Sequence, residues 1–352
     1  MRRPNAVVEH FEQKWNPVCT ARARIIGISR TPSLPAACRA GASQLLRRRR
    51  KTGCMLFAIP AWLWIVFTLI ASAAQTARNA MQRDLVGKVG TAGATYVRFL
   101  FGLPFALVFL AVQTYATGFE IPDINGRAAA WCVVGSGAQI IATALMLMAM
   151  KARSFVVTIA YTKTEPVLVA IFSILFLGEA PTLMVALAIV IATLGVLVMS
   201  APRGEAFSPR PALIGVASAA FFGLSATGYR GTILALSSPS YMMTATTTLV
   251  MGLTMQCAAI LIWLGARDRA LLVNILRNWR PSLLAGFMGA LASQFWFLAF
   301  AISTPTMVRT LALVEVPFAQ FVSRGLFKQG MKVWELVGIA MIVVGVVMLL
   351  NG

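Results

Sequence analysis

Apolar stretches of about 20 residues recur along this chain from residue 57 to its end, and they constrain the fold more tightly than anything else in it. Each is long enough to carry an α-helix across about 30 Å of hydrocarbon. They fall near 57–77, 93–114, 128–149, 155–177, 182–201, 211–235, 241–264, 282–302, 305–326 and 333–350. Helix breakers separate them, among them Pro122-Asp123, Pro181, Pro202-Arg203-Gly204, Ser238-Pro239 and Arg280-Pro281. In lipid every backbone N–H and C=O must find its partner inside the segment, so runs of this kind become helices. The predicted fold class is all-α integral membrane with ten transmembrane helices.

Composition agrees with lipid as the solvent. Of the 352 residues 59% are hydrophobic and 12% charged, about half the charged share of an ordinary soluble domain. The formal charge of +20 sits mostly in an N-terminal tail and short gaps between apolar runs, where membrane proteins carry topology signals, so nucleic acid is not expected as a partner. The five cysteines (Cys19, Cys38, Cys54, Cys132, Cys257) have neither metal-ligand nor disulfide-frame spacing. The single histidine, His10, lies outside the apolar region, which removes a Ser-His-Asp triad, a His-ligated metal and a His proton relay from the membrane part. No GxxxxGK[ST] motif is present to couple ATP. These readings argue against an enzyme and call for no metal and no cofactor.

Residues 1–54 form a basic tail with twelve Lys or Arg against two Glu, including the run Arg47-Arg48-Arg49-Arg50-Lys51, and no apolar periodicity. Such a composition is expected to be disordered. It fits a cytoplasmic tail, an Arg-rich transit peptide, or sequence placed upstream of a natural start at Met55, which opens directly into the first apolar run.

The remainder repeats at an offset near 150. Ala149 matches Ala299, Glu165 matches Glu315, Gly102-Leu103 matches Gly252-Leu253, and Gly195 matches Gly345. With one more residue of offset Pro60 matches Pro211, Pro166 matches Pro317, and Arg78 falls against Arg230 or its neighbour. Five helices per copy is an odd number, so the second copy (203–352) enters the membrane opposite in sense to the first (55–202). That is an inverted repeat, the plan of many secondary transporters.

The segment Tyr161-Thr-Lys-Thr-Glu165-Pro166-Val-Leu-Val-Ala-Ile-Phe-Ser-Ile-Leu-Phe-Leu-Gly178-Glu179, followed by a helix with Gly195, resembles the fourth and fifth helices of EamA-type transporters of the drug/metabolite transporter superfamily. Arg98 within Tyr96-Val-Arg-Phe-Leu-Phe-Gly-Leu-Pro104 resembles that family's second-helix arginine. The likeness spans roughly 57–350, and the second copy departs from it at Glu315-Val316-Pro317 and at Lys328-Gln329-Gly330. It implies a ten-helix carrier working by alternating access, and for the direction of transport it implies export. Family members move amino acids, sugars, nucleotides, purines or drugs, so it names no substrate.

Pro166 and Pro317, at matching positions inside the fourth and ninth runs, are the predicted helix breaks. Paired breaks of this kind mark central binding sites, although a packing kink explains them as well. Glu165 and Glu315 are the carboxylates placed well inside apolar runs, where a charge costs a few kcal/mol or more and faces a cavity or a partner. They are candidates to bind substrate or a coupling proton. The plainer alternative pairs Glu165 with Arg98 or Lys163. Arg98, Lys163 and Arg309 bring positive charge to membrane depth and suit an anionic or zwitterionic solute, unless they snorkel to the interface. Gln75, Gln139, Gln256 and Gln294 offer uncharged hydrogen bonds, and Tyr161, Tyr229 and Trp296 could line a pocket or sit at the interface. Small-residue stripes (Gly135, Ala138, Ala142; Gly286, Gly289 or Ala290, Ser293) suit close helix packing.

Loop charge sets an orientation. Loops after odd-numbered runs hold Arg78, Arg83, Lys88, Lys151, Arg153, Arg203, Arg210, Arg267, Arg269, Arg277, Arg280, Arg324, Lys328 and Lys332, against Arg127 and at most Arg230 in the even ones. The positive-inside rule makes the odd loops cytoplasmic, in conflict with the basic tail and with the cytoplasmic ends common in the resembled family. The expectation is that the loops decide. The functional expectation is a secondary transporter of a small polar or amphipathic metabolite in a bacterial inner membrane. A multidrug carrier with a Met-rich cavity and a non-transport scaffold or receptor-like module are the alternatives.

Overall fold

The computed structural model describes residues 60–152, 161–200, 209–317 and 333–352, all within one unit, Pro60–Gly352. The basic tail, the question of Met55, the Lys328-Gln329-Gly330 departure and the loop charges Arg153, Arg203, Arg324, Lys328 and Lys332 lie outside the described residues.

Among the described residues the chain is helical without a strand. The helices are α1 (Leu63–Leu100), α2 (Leu103–Thr117), α3 (Gly126–Ala152), α4 (Glu165–Phe172), α5 (Leu183–Ser200), α6 (Pro209–Ala235), α7 (Tyr241–Arg267), α8 (Arg269–Arg277), α9 (Trp279–Ile302), α10 (Pro305–Leu311) and α11 (Val333–Asn351). Among the described residues six segments are long and apolar enough to cross a membrane. The first of them, Leu63–Thr117, holds 55 residues, more than twice what one crossing of about 20 residues needs.

Side-chain placement inverts the rule for proteins in water. Leu107, Val108 and Val112 of α2, Leu183, Leu187, Val190 and Leu194 of α5, and Val343, Val344 and Val347 of α11 face outward, while Arg78, Arg98, Lys163 and Glu165 are buried. An apolar exterior around a charged interior is stable only in lipid.

Three expectations about local structure are corrected. Arg78 is not in a loop. No glycine or proline interrupts 61–86, so α1 continues through Arg78 to Val89 and breaks its helical geometry at Gly90 (φ 71°, ψ 175°), a conformation open to a residue without a β-carbon. Pro166 does not kink a helix from within. The chain turns at Lys163-Thr164, and Pro166 occupies the first turn of α4, where its missing N–H leaves no bond unmade. Pro317 follows a 3₁₀ turn, Ala312–Val314. The gap after α7, read as a basic loop, folds into the short helix α8, whose start is capped by Asp268 accepting from the Leu271 amide (2.9 Å).

Helices pair through small residues. α3 packs on α6, where a β-carbon at Gly228 would stand 2.7 Å from the Gly135 nitrogen. α9 packs on α1, and Gly286 meets Phe101. α5 packs on α11 through two matched contacts: a β-carbon at Gly195 would lie 2.7 Å from the Gly338 carbonyl, and one at Gly345 would lie 2.8 Å from the Ala188 carbonyl. Adding 150 to the first-half number of either contact yields a residue of the other.

Candidate functional site

The charged interior is assembled from the broken helices. Lys163 sits in the turn before α4 and Glu165 opens that helix; Arg309 lies on α10 and Glu315 follows the 3₁₀ turn beyond it. The pairing crosses between the two halves of the chain. Lys163 Nζ donates to Glu315 Oε1, and Arg309 Nε stands 3.1 Å from Glu165 Oε1 as an ion pair without hydrogen-bond alignment. The expected partners of Glu165, Arg98 and Lys163, are therefore replaced by Arg309. The helix ends explain why: each break places a cation and a carboxylate on the same short stretch, and each stretch faces the other.

Arg309 is held on its other side by aromatic rings. Its guanidinium carbon lies 4.1 Å from the centroid of Trp296 and 5.4 Å from that of Phe300. Trp296 Nε1 in turn donates to Gln75 Oε1 at 3.1 Å, tying α9 to α1. Both Trp296 and Gln75 thus belong to the interior and not to an interfacial belt.

Arg98, on the second part of α1, donates from Nη1 to the Thr143 hydroxyl (3.0 Å) and stacks on its neighbour Phe99. Arg78, on the first part, is 2% exposed; Nη2 donates to Asn79 Oδ1 (2.7 Å), and Nε has no partner. Arg78 and Arg98 flank Gly289, whose missing β-carbon would lie 3.5 Å from Arg78 Cδ and 3.5 Å from Arg98 Cβ.

Uncharged groups form two further clusters. Gln256 Nε2 donates to Gln139 Oε1 (2.8 Å), and the Tyr229 hydroxyl donates to the same oxygen (3.1 Å) while lying 3.3 Å from Ser136 Oγ. Gln294 Nε2 donates to Thr246 Oγ1 (2.7 Å), which is 2.6 Å from Gln113 Oε1. Tyr161 stands apart from the charged group, its side chain lying against Gly215. Nearer one end, Arg230 binds Glu179 through Nε and Nη2 (3.1 and 2.8 Å) and donates to the Phe300 carbonyl.

The sequence reading named Glu165, Glu315, Lys163 and Arg309 as separate candidates, and the structure brings the four together. That reading missed Arg78, Ser136, Thr143 and Thr246. Arg78 had a usable signal in the absence of any breaker before Gly87; the hydroxyls had none.

The EamA-like transporter family matches residues 62–201. No curated protein matches the chain. A solved structure described only as the crystal structure of a protein is similar with a TM-score of 0.57 and 14% identity, covering 82% of this chain and 97% of its own. At that identity the similarity is one of fold.

Proposed function

Residues 62–201 belong to the EamA-like transporter family, and from that premise we propose that the chain is a secondary transporter moving a small polar or amphipathic metabolite by alternating access. The supporting observation is the crossed pair of ion contacts, Lys163 with Glu315 and Glu165 with Arg309, which join the broken helices of the two halves inside a bundle with an apolar exterior. Buried pairs of this kind add little net stability, because desolvation offsets most of their attraction. What they provide is a contact that can be exchanged for a solute's own polar groups. We read the unit as ten crossings in two inverted copies, 55–202 and 203–352. The matched Gly195–Gly338 and Gly345–Ala188 contacts support that reading. Export across a bacterial inner membrane and proton coupling through Glu165 or Glu315 are part of the same proposal.

The test is counterflow in proteoliposomes loaded in turn with amino acids, nucleotides, sugars and organic cations. Accumulation of one radiolabelled class, abolished in Glu165→Gln with Glu315→Gln, is the expected result. Absence of counterflow for every class, from protein that remains monodisperse, would assign the fold to a role other than transport.

A further inference from the structure

The ion pairs leave two buried cations over. Lys163 and Arg309 each have a carboxylate, whereas Arg78 and Arg98 have none among the described residues. Both are almost fully enclosed, at 2% and 3% exposure, and both are anchored to uncharged groups alone: an asparagine oxygen for Arg78, a threonine hydroxyl for Arg98. They sit on opposite sides of the Gly90 break, and both side chains meet one glycine of α9, Arg78 through Cδ and Arg98 through Cβ, each 3.5 Å from the β-carbon position of Gly289. An uncompensated buried charge costs several kcal/mol, and a second of the same sign beside it adds repulsion. A guanidinium offers five donors in a planar fork, and Arg78 Nε is buried without a hydrogen-bond partner among the described residues.

We propose that Arg78 and Arg98 together bind an oxyanion, a carboxylate or phosphate group carried by the transported solute. This rests on the transporter reading and gives it a substrate class. The planar forks match two-oxygen heads, which an ammonium would contact only as a point charge. Gly289 keeps the space between the two arginines free of a side chain. The crossed ion pairs nearby are neutral as a group, so they neither compete for the anion nor supply it.

The experiment uses the full chain in nanodiscs of neutral phosphatidylcholine and follows its unfolding midpoint. Inorganic phosphate and acetate are titrated, with sodium chloride at matched ionic strength as reference. One oxyanion is expected to raise the midpoint saturably by several degrees, since a ligand of the folded state stabilises it by mass action. Arg98→Gln and Arg78→Gln should raise the half-saturating concentration tenfold or more. In anion-free buffer the Gln variants should unfold no earlier than the parent, because they remove a charge that lacks a partner; arginines that merely hold the structure together would give the opposite. Should Arg78→Gln fail to fold, Arg78→Lys and Arg98→Lys keep the charge and lose the fork, with the same weakening expected. A response no larger than that to chloride overturns the proposal. So does stabilisation that follows added phosphatidylglycerol and ignores free anion, since it would assign the pair to a lipid headgroup. Anion binding without counterflow would refute the carrier reading and leave the oxyanion site intact. Counterflow of an uncharged solute without an anion response would do the reverse.

Discussion

Arg309 lies against the indole of Trp296, its guanidinium carbon 4.1 Å from the ring centroid, and through it the charge on α10 is positioned by α9. The indole is itself fixed by its hydrogen bond to Gln75 on α1. A cation placed this way is held with its Nε 3.1 Å from Glu165 Oε1.

Trp296→Leu should therefore destabilise the protein by about 2 kcal/mol from the cation–π contact and about 1 kcal/mol more from the lost indole bond. Trp296→Phe keeps a ring face and should recover part of the first contribution. Thermal unfolding of the two variants side by side checks this; equal midpoints for Phe and Leu would show that the ring face contributes nothing.

Breaking one side of the Lys163–Glu315 pair strands the other charge in the bundle. Lys163→Met or Glu315→Leu alone should cost about 3–5 kcal/mol, and the double variant less than either single change. A double-mutant cycle from denaturant unfolding measures the coupling. Additive losses would mean the two side chains do not depend on each other.

Tyr229 and Gln256 share the Gln139 carbonyl oxygen, so their contributions are linked. Tyr229→Phe should cost about 1–2 kcal/mol by leaving buried groups with fewer partners. In a Gln256→Leu background the same change should cost measurably less. Unfolding midpoints of the four proteins decide it, and an unchanged Tyr229→Phe penalty would separate the two residues.

Gly195→Val and Gly345→Val should destabilise to a similar degree, about 1–3 kcal/mol each, since both insert a side chain where a carbonyl already stands within 2.8 Å of the β-carbon position. Gly137→Ala, with nothing within 4 Å, should be neutral or better. Fluorescence-detected size exclusion after a heating step ranks them. A tolerated Gly345→Val beside a disruptive Gly195→Val would break the equivalence of the two contacts.

The sequence conveyed an all-helical membrane protein because hydrophobic run length and breaker spacing are one-dimensional properties. It conveyed Glu165, Glu315, Lys163 and Arg309 because a charge inside an apolar run is conspicuous. It did not convey which cation meets which carboxylate. Lys163 finds Glu315 at a separation of 152 residues, and that choice is made by packing of α10 on α4, which no local pattern encodes. Arg78 was misplaced for a different reason: hydropathy falls before the helix ends, and a polar residue on the inner face of a long helix then looks like a loop. Thr143 and Thr246 carry no signal because a threonine in a membrane helix usually bonds back to its own turn, as both of these also do.

The α5–α11 seam bears on how such a bundle can change shape. Where Gly195 meets Gly338 and Gly345 meets Ala188, main chain comes against main chain, flanked closely by the side chains of Met341 and Ala192. An interface built on rotamers alone can settle into a second register by turning a few of them; where backbone stands this close to backbone, those points have no such reserve of alternative fits. In the carrier proposed above these two helices are expected to travel together as one strut, leaving the rearrangements to the helices around it.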